Sequence, residues 1–204
     1  TSPYYSLTPL NQSSGPLNIP GAVLEIPITI SNSQSSATPA PFQQLISINP
    51  SLYTSYEASN LGNIRFYTSN GTELYAWLES YSGQPSGGNA NQATNANIWV
   101  KLPNGIPANS NTEIYMVFMS TSTNFDGNYW GEAPTLSPTY GEYDNGGNVF
   151  TYYQRFGGLS GLPAGWAAIN GPTLTYNANS TEITDFDLAA NGESGWYGLT
   201  VTPS

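Results

Sequence analysis

Glycine and proline punctuate this chain so densely, 21 and 16 times in 204 residues, that few windows remain long enough for a helix of three turns. The windows between them carry strand signatures. From Ala22 to Ser31 the alternation is clean. Ala22, Leu24, Ile26, Ile28 and Ile30 share one face, and Val23, Glu25, Pro27, Thr29 and Ser31 share the other. Pro27 offers no N–H to a ladder, so this strand is expected to have an unpaired edge there. Further β-rich runs are Leu45–Ile48, Asn63–Thr68, Glu73–Tyr81, Asn97–Leu102 and Glu113–Met119, then Asn148–Tyr153, Thr173–Tyr176, Glu182–Leu188 and Gly195–Thr202. Asn70-Gly71 lies between two of them and predicts a hairpin, because both residues tolerate positive φ. Ser51–Asn60, following Pro50, predicts a short helical turn, and Gly83–Asn97 a small-polar loop with nothing to drive its packing. About ten strands at this spacing read as an all-β protein, a jelly-roll-like or pilin-like β-sandwich with an extended N-terminal strand. The expected division is an extension over 1–20 and one head domain over 21–204, long enough to bury a core.

Composition narrows the function. The chain has no His and no Cys, which removes the commonest general base, the usual transition-metal ligands and the thiol nucleophile. Charged residues make up 8% of it, against about 25% in an ordinary domain. With three Lys and Arg and a net charge of -10, neither nucleic acid nor an anionic membrane is an expected partner. No run approaches the roughly 18 apolar residues of a membrane span. The uncharged polar surface and the start at Thr1 rather than Met are read as marks of a processed extracellular protein. Sparse charge also suits an acidic setting, where most of the 13 carboxylates protonate and only about three cations remain to repel one another.

The extension is too apolar for a solvated tail and too interrupted for a helix. Pro3, Tyr5, Leu7 and Pro9 fall in one alternation phase, and Tyr4, Ser6, Thr8 and Leu10 in the other. With both prolines in one phase, the missing N–H groups lie on a single edge. Such a strand can complete a neighbour's open sandwich by strand addition. It can equally be the domain's own first strand or an arm strapped over its surface. Donation from head to tail would be a heterologous contact that does not close, and it would yield a fibre.

The segment LGNIRFYTSNGTELYAWLE at Leu61–Glu79, followed by NIWVKLPNGIPANSNTEIYMVF at Asn97–Phe118, resembles a family of secreted prokaryotic and archaeal β-sandwich domains of unassigned function. The resemblance extends over roughly Ala22 to Phe156 and includes the YWGEAPTLSPTYGEYDNGGNVF stretch at Tyr129–Phe150. Within that family, the N-terminal extension and uncharged composition are similar to those of archaeal thread subunits, which form surface filaments of Sulfolobus-type cells. The resemblance implies subunits linked head to tail by an inserted N-terminal strand, with copies of the chain as partners, heavy glycosylation, and a place at the cell surface.

Three N-glycosylation sequons occur, at Asn11, Asn70 and Asn179. Chance gives about four in a chain this rich in Asn, Ser and Thr, so the count itself argues nothing. Acid/base pairs are sought at Asp185/Asp187, on one strand face, and at Glu142/Asp144 in a loop. Both are more simply solvated carboxylates, and no catalytic role, cofactor or metal is expected. Asp126-Gly127-Asn128 and Asp144-Asn145-Gly146 place hard oxygens in turns without an EF-hand spacing, so they read as turn formers. Trp77, Trp99, Trp130, Trp166 and Trp196 could display a sugar-binding face, although core is the better reading for Trp77 and Trp99. Lys101, the only lysine, is expected to point outward or to meet a carboxylate rather than to form a covalent cross-link. The leading expectation is a non-catalytic filament subunit. A secreted carbohydrate-binding or adhesive module is second and a glycosidase third.

Overall fold

The computed structural model describes residues 4–7 and 16–155 and, beyond them, the backbone of four strands between 166 and 201. The fold is mostly β: two four-stranded sheets pack as a sandwich with almost no helix. The first sheet runs β2 (Leu24–Asn32), β8 (Ser110–Phe118), β4 (Ile64–Thr68), β5 (Glu73–Leu74), and β1 (Tyr4–Leu7) adds a fifth strand beside β2. The second runs β3 (Phe42–Ile48), β7 (Asn95–Leu102), β6 (Ala76–Ser82), β9 (Trp130–Glu132). All pairings are antiparallel except β6 with β9. Four more strands, β10 (Trp166–Ile169), β11 (Thr173–Tyr176), β12 (Ile183–Asp187) and β13 (Gly198–Val201), form two separate ladders, β10 with β13 and β11 with β12.

The alternation read from Ala22 to Ser31 sets the register. Leu24, Ile26, Ile28 and Ile30 are all buried and meet Ile46, Ile98, Val100, Ile64, Phe66, Ile114, Met116 and Phe118 in one core. Four such side chains contribute roughly 6–12 kcal/mol of burial free energy, at about 1.5–3 kcal/mol each. A one-residue slip would turn all four outward, so the register is strongly specified. Trp130 lies wholly inside this core, its Nε1 donating to the Leu61 carbonyl at 2.9 Å and its ring against Phe66 and Phe125.

The second sheet is covered on its other face as well. Trp77 and Trp99 are paired across β6 and β7, on the face opposite the main-core residues Ala76 and Leu78. Ala133, Leu136, Val149, Phe150 and Tyr153 pack over them, with Phe150 edge-on to both tryptophans at 5.4 and 5.6 Å. Both tryptophans are therefore packing residues, as expected, but in a second, smaller layer. This layer explains why Asn148–Tyr153 is not the strand its composition predicts. Its start belongs to a one-turn helix, α1 (Gly146–Val149), closed by Phe150 N–H to the Gly146 carbonyl, and its aromatics are spent on the tryptophans.

One other expectation is corrected and another refined. Gly83–Asn97 is not merely an unpacked loop: Ala90 and Ala93 are buried, a 3-10 turn at Ala90–Gln92 carries a capping box with Asn89, and β7 has begun at Asn95. The Asn70-Gly71 hairpin exists, but its loop has three residues. Gly71 N–H bonds the Thr68 carbonyl and only Gly71 has positive φ, at 82°, as in a type I turn with a following bulge. The short strands β9 and β10 gave no alternation by which to find them. The helical turn after Pro50 is present as a 3-10 turn, Pro50–Leu52.

Candidate functional site: the β2 edge and its strap

Of the donor-strand residues, Tyr5 and Leu7 lie in β1 while Pro3 and Pro9 fall outside the described residues. The register is Tyr4 opposite Ser31, Tyr5 opposite Ile30, Ser6 opposite Thr29 and Leu7 opposite Ile28. In the single chain, then, the extension adds a strand to the edge of its own domain. Tyr5 and Leu7 take the positions opposite the two core isoleucines. Pro27 sits one residue past the last β2 position that β1 covers, which agrees with its reading as an edge marker.

A buried carboxylate fixes where the extension joins the head. Glu25, at an outward position of β2, is nonetheless buried, because the segment at 16–21 lies over it. Its two oxygens accept from Leu17 N–H at 2.8 Å and Ile19 N–H at 2.9 Å. Charge-assisted bonds of this kind are about twice as strong as neutral ones. The eight residues 8–15 thus separate β1 from a clamped strap, and fully extended they would reach about 26–29 Å.

The remaining sequence candidates are dispersed. Asn70 stands at the exposed hairpin tip, its side-chain oxygen accepting from Thr72 N–H at 3.3 Å, from Thr72 Oγ1 at 3.0 Å and from Thr68 Oγ1. That leaves Nδ2, the atom a glycan would join, without a partner among the described residues. Asn11 and Asn179 lie outside the described residues, as does Trp196, while Trp166 opens β10. Asp185 and Asp187 stand opposite Thr175 and Thr173 in the β11–β12 ladder.

Glu142 and Asp144 diverge. Asp144 points inward, accepting from Trp77 Nε1 at 3.1 Å, from Tyr153 OH at 2.9 Å and from Gly146 N–H at 3.0 Å, with Arg155 at 3.9 Å. Burial first, then the bond to Asp144, raises the Tyr153 phenol well above its usual range. Glu142 is exposed. Asp126 does form a turn, accepting from Asn128 and Trp130 N–H at 2.8 and 2.9 Å. It also shares Arg65 with Glu73, at 3.7 and 3.6 Å. Among the described residues no cluster of three His, Cys, Asp or Glu could hold a metal. Among the described residues Lys101 meets no carboxylate; its ammonium donates to the Asn148 carbonyl at 2.7 Å and lies 5.7 Å from the Tyr75 ring.

Sequence reasoning missed two groups. Glu57 is buried at 3% exposure with neither carboxyl oxygen hydrogen-bonded, and burial pushes its pKa up to about 8. Glu132 is buried at 5%, and burial raises its pKa; its Oε1 accepts from Ser137 Oγ at 2.5 Å, which opposes the rise, and Glu142 adds to it. Neither had a local signature: each sits in a stretch without strict alternation.

This is a β-sandwich whose residues 60–129, from the loop before β4 through β8 to the approach to β9, match the model of a family described as a domain of unknown function, DUF2341. The stretches LGNIRFYTSNGTELYAWLE and NIWVKLPNGIPANSNTEIYMVF both fall within that match. Over 128 residues, 62% of its length, the chain is 44% identical to "Uncharacterized protein 562" of Sulfolobus islandicus rod-shaped virus 1. It spans about a fifth, 21%, of that protein's length. No solved structure matches.

Proposed function

We propose that this chain is a pilin-like or jelly-roll-like structural subunit of an extracellular, cell-surface filament that polymerises head to tail by donor-strand complementation. Residues Pro3, Tyr5, Leu7 and Pro9 belong to the donated strand, N-glycans attach at the sequons Asn11, Asn70 and Asn179, and the role is not catalytic. The observation that carries the reading is the β1–β2 ladder. The strand joins the sheet through one edge only, and main-chain bonds at Ile28–Ser31 can be supplied as well by the same segment of a second copy. The clamp at Glu25 anchors the extension while the eight residues beyond it allow β1 to reach outward.

The absence of cysteine makes the test direct. Ser6 and Thr29 face each other in the ladder, and opposite residues lie about 4.5–5.5 Å apart between Cα atoms, within disulfide range. Full-length Ser6→Cys and Thr29→Cys proteins, mixed and oxidised, are expected to give a covalent heterodimer, and negative-stain images of the parent are expected to show filaments. Mixed single variants that stay uncoupled, together with images of discrete monomers, would refute donation between chains.

A further inference from the structure

A cleft of about 280 Å³ opens beside the ends of β6 and β9, far in sequence from the β2 edge and unused by the proposed assembly. Tyr81, Leu136 and Tyr143 form apolar walls, and Glu132, Glu142 and Asn124 supply polar groups. The aromatic wall is braced. Tyr143 stacks on Phe125 at 5.8 Å, Phe125 on Trp130 at 5.5 Å, and Trp130 is wholly buried. The loop carrying Tyr143 is tied to β9 by Glu132 N–H to the Tyr143 carbonyl at 3.2 Å. Glu132 is the informative residue. Its Oε1 is taken by Ser137, whereas Oε2 has no protein partner although the residue is nine-tenths buried and lines the cleft. An acceptor on a residue this buried, lining the cleft and without a protein partner among the described residues, is available to an occupant that donates to it.

The lining excludes most classes of occupant. It contains no Lys or Arg, so an anion has no counter-charge there. Calcium needs six to eight oxygens. Here the Asn60 side-chain oxygen is taken by Gly62 N–H at 2.9 Å, that of Asn124 by Asn60 at 2.8 Å, and Glu132 Oε1 by Ser137. What remains is the Oε2 of Glu132, an exposed carboxylate, the Asn124 amide that donates to Tyr143 OH at 3.3 Å, and two phenol rings. Aromatic faces flanked by carboxyl and amide groups suit the apolar face and hydroxyl rim of a sugar. The volume admits one ring.

We infer that this cleft binds a single neutral hexose unit, with Tyr81 and Tyr143 against the ring and Glu132 Oε2 accepting from a hydroxyl. The site does not depend on polymerisation, and its test is separate from the disulfide test of assembly. Saturation-transfer NMR on the full chain would use glucose, mannose and galactose as probes, with tetramethylammonium and calcium chloride as competitors. At least one hexose is expected to bind with a Kd on the order of 1 mM, as befits about a dozen heavy atoms. Glu132→Gln, which keeps the shape, and Leu136→Trp, which fills the cleft, should each weaken it at least tenfold. Glu142→Gln, at an exposed position, gives a second reading if either fails to fold, with an expected loss of a few-fold. No transfer to any hexose at about 20 mM, twenty times the expected Kd, would overturn the inference. Affinity indifferent to these substitutions would do the same, as would displacement of the hexose by calcium or the quaternary ammonium.

Discussion

The group most exposed to a quantitative test is Glu57. Its carboxyl is buried at 3% exposure, neither oxygen has a hydrogen-bond partner, and its pKa rises from 4.5 to about 8 in the fold. The cause is desolvation, which penalises the charged form. Because the folded pKa lies above the unfolded one, the folded state holds a proton that the unfolded state has released throughout the window from 4.5 to about 8. Stability is therefore full below pH 4.5, falls as the pH rises, and has lost this contribution above about 8. At about 1.36 kcal/mol per pH unit the whole fall is about 5 kcal/mol, and by pH 7 about 3 kcal/mol of it has occurred. Glu57→Met keeps the length, gives up no hydrogen bond and cannot titrate. At pH 7 the variant is expected to be more stable than the parent by about 3 kcal/mol, or roughly 6–12 °C in Tm for a chain of this size. At pH 4 the two should agree within about 1 kcal/mol. Calorimetric melts of both proteins from pH 3 to 9 provide the check. The difference between the curves isolates Glu57 from Glu73 and Glu132, whose pKa values burial also raises. Repeating the series in 1 M salt, where the Debye length is about 3 Å, separates burial from surface repulsion. Parallel parent and variant curves between pH 4.5 and 8 would refute the reasoning.

Glu25→Gln leaves one of the two clamp bonds without its charged acceptor. It is expected to lower stability by about 1–3 kcal/mol in denaturant titration and to speed proteolysis within residues 8–21. Gly131→Ala places a methyl 2.3 Å from the Tyr143 carbonyl and from Asn145 Oδ1. Overpacking of about 1–3 kcal/mol should follow, visible as a loss of near-UV signal from the Trp77 layer before the far-UV signal. Trp130→Ala removes a wholly buried ring and its bond to Leu61. A cost of about 3–5 kcal/mol is expected by chemical denaturation.

The strands that alternate and turn apolar residues into the core were legible in the sequence, because period two is a direct consequence of the pleat. β2 is the clearest case. β7 began two residues and β8 three residues before the predicted starts, where small polar residues still occupy ladder positions. What was not legible depended on contacts between distant segments. β9 has three consecutive buried residues, Trp130, Gly131 and Glu132, because it is enclosed on both faces. A strand of that kind shows no periodicity. The Glu142/Asp144 pair looked like one site but is divided by the backbone: Asp144 turns in to Trp77 and Tyr153, and Glu142 turns out. Glu132, ten residues from Glu142, joins it at the cleft only through the loop that folds back onto β9.

The sparse charge has a sharper meaning in the folded chain than in the composition. Of the nine acidic residues within 16–155, Glu25, Glu57 and Glu132 are buried, and the side chain of Asp144 is only 3% exposed. Arg65 is buried as well, donating to the carbonyls of Gly62, Ile64 and Asn124. Glu25, Arg65 and Asp144 do work that a neutral residue would do less well. Glu25 clamps the strap, Arg65 ties β4 to the loop at Asn124, and Asp144 joins the tryptophan layer to the turn before α1. Part of the sparse charge thus organises loops that lack ladder bonds, while Glu79, Glu113, Asp126 and Glu142 stand exposed. The pH response of stability is expected to reside in the carboxyls that burial has moved, Glu57, Glu73 and Glu132. Glu57 is the one among them whose two oxygens are both buried without a hydrogen-bond partner.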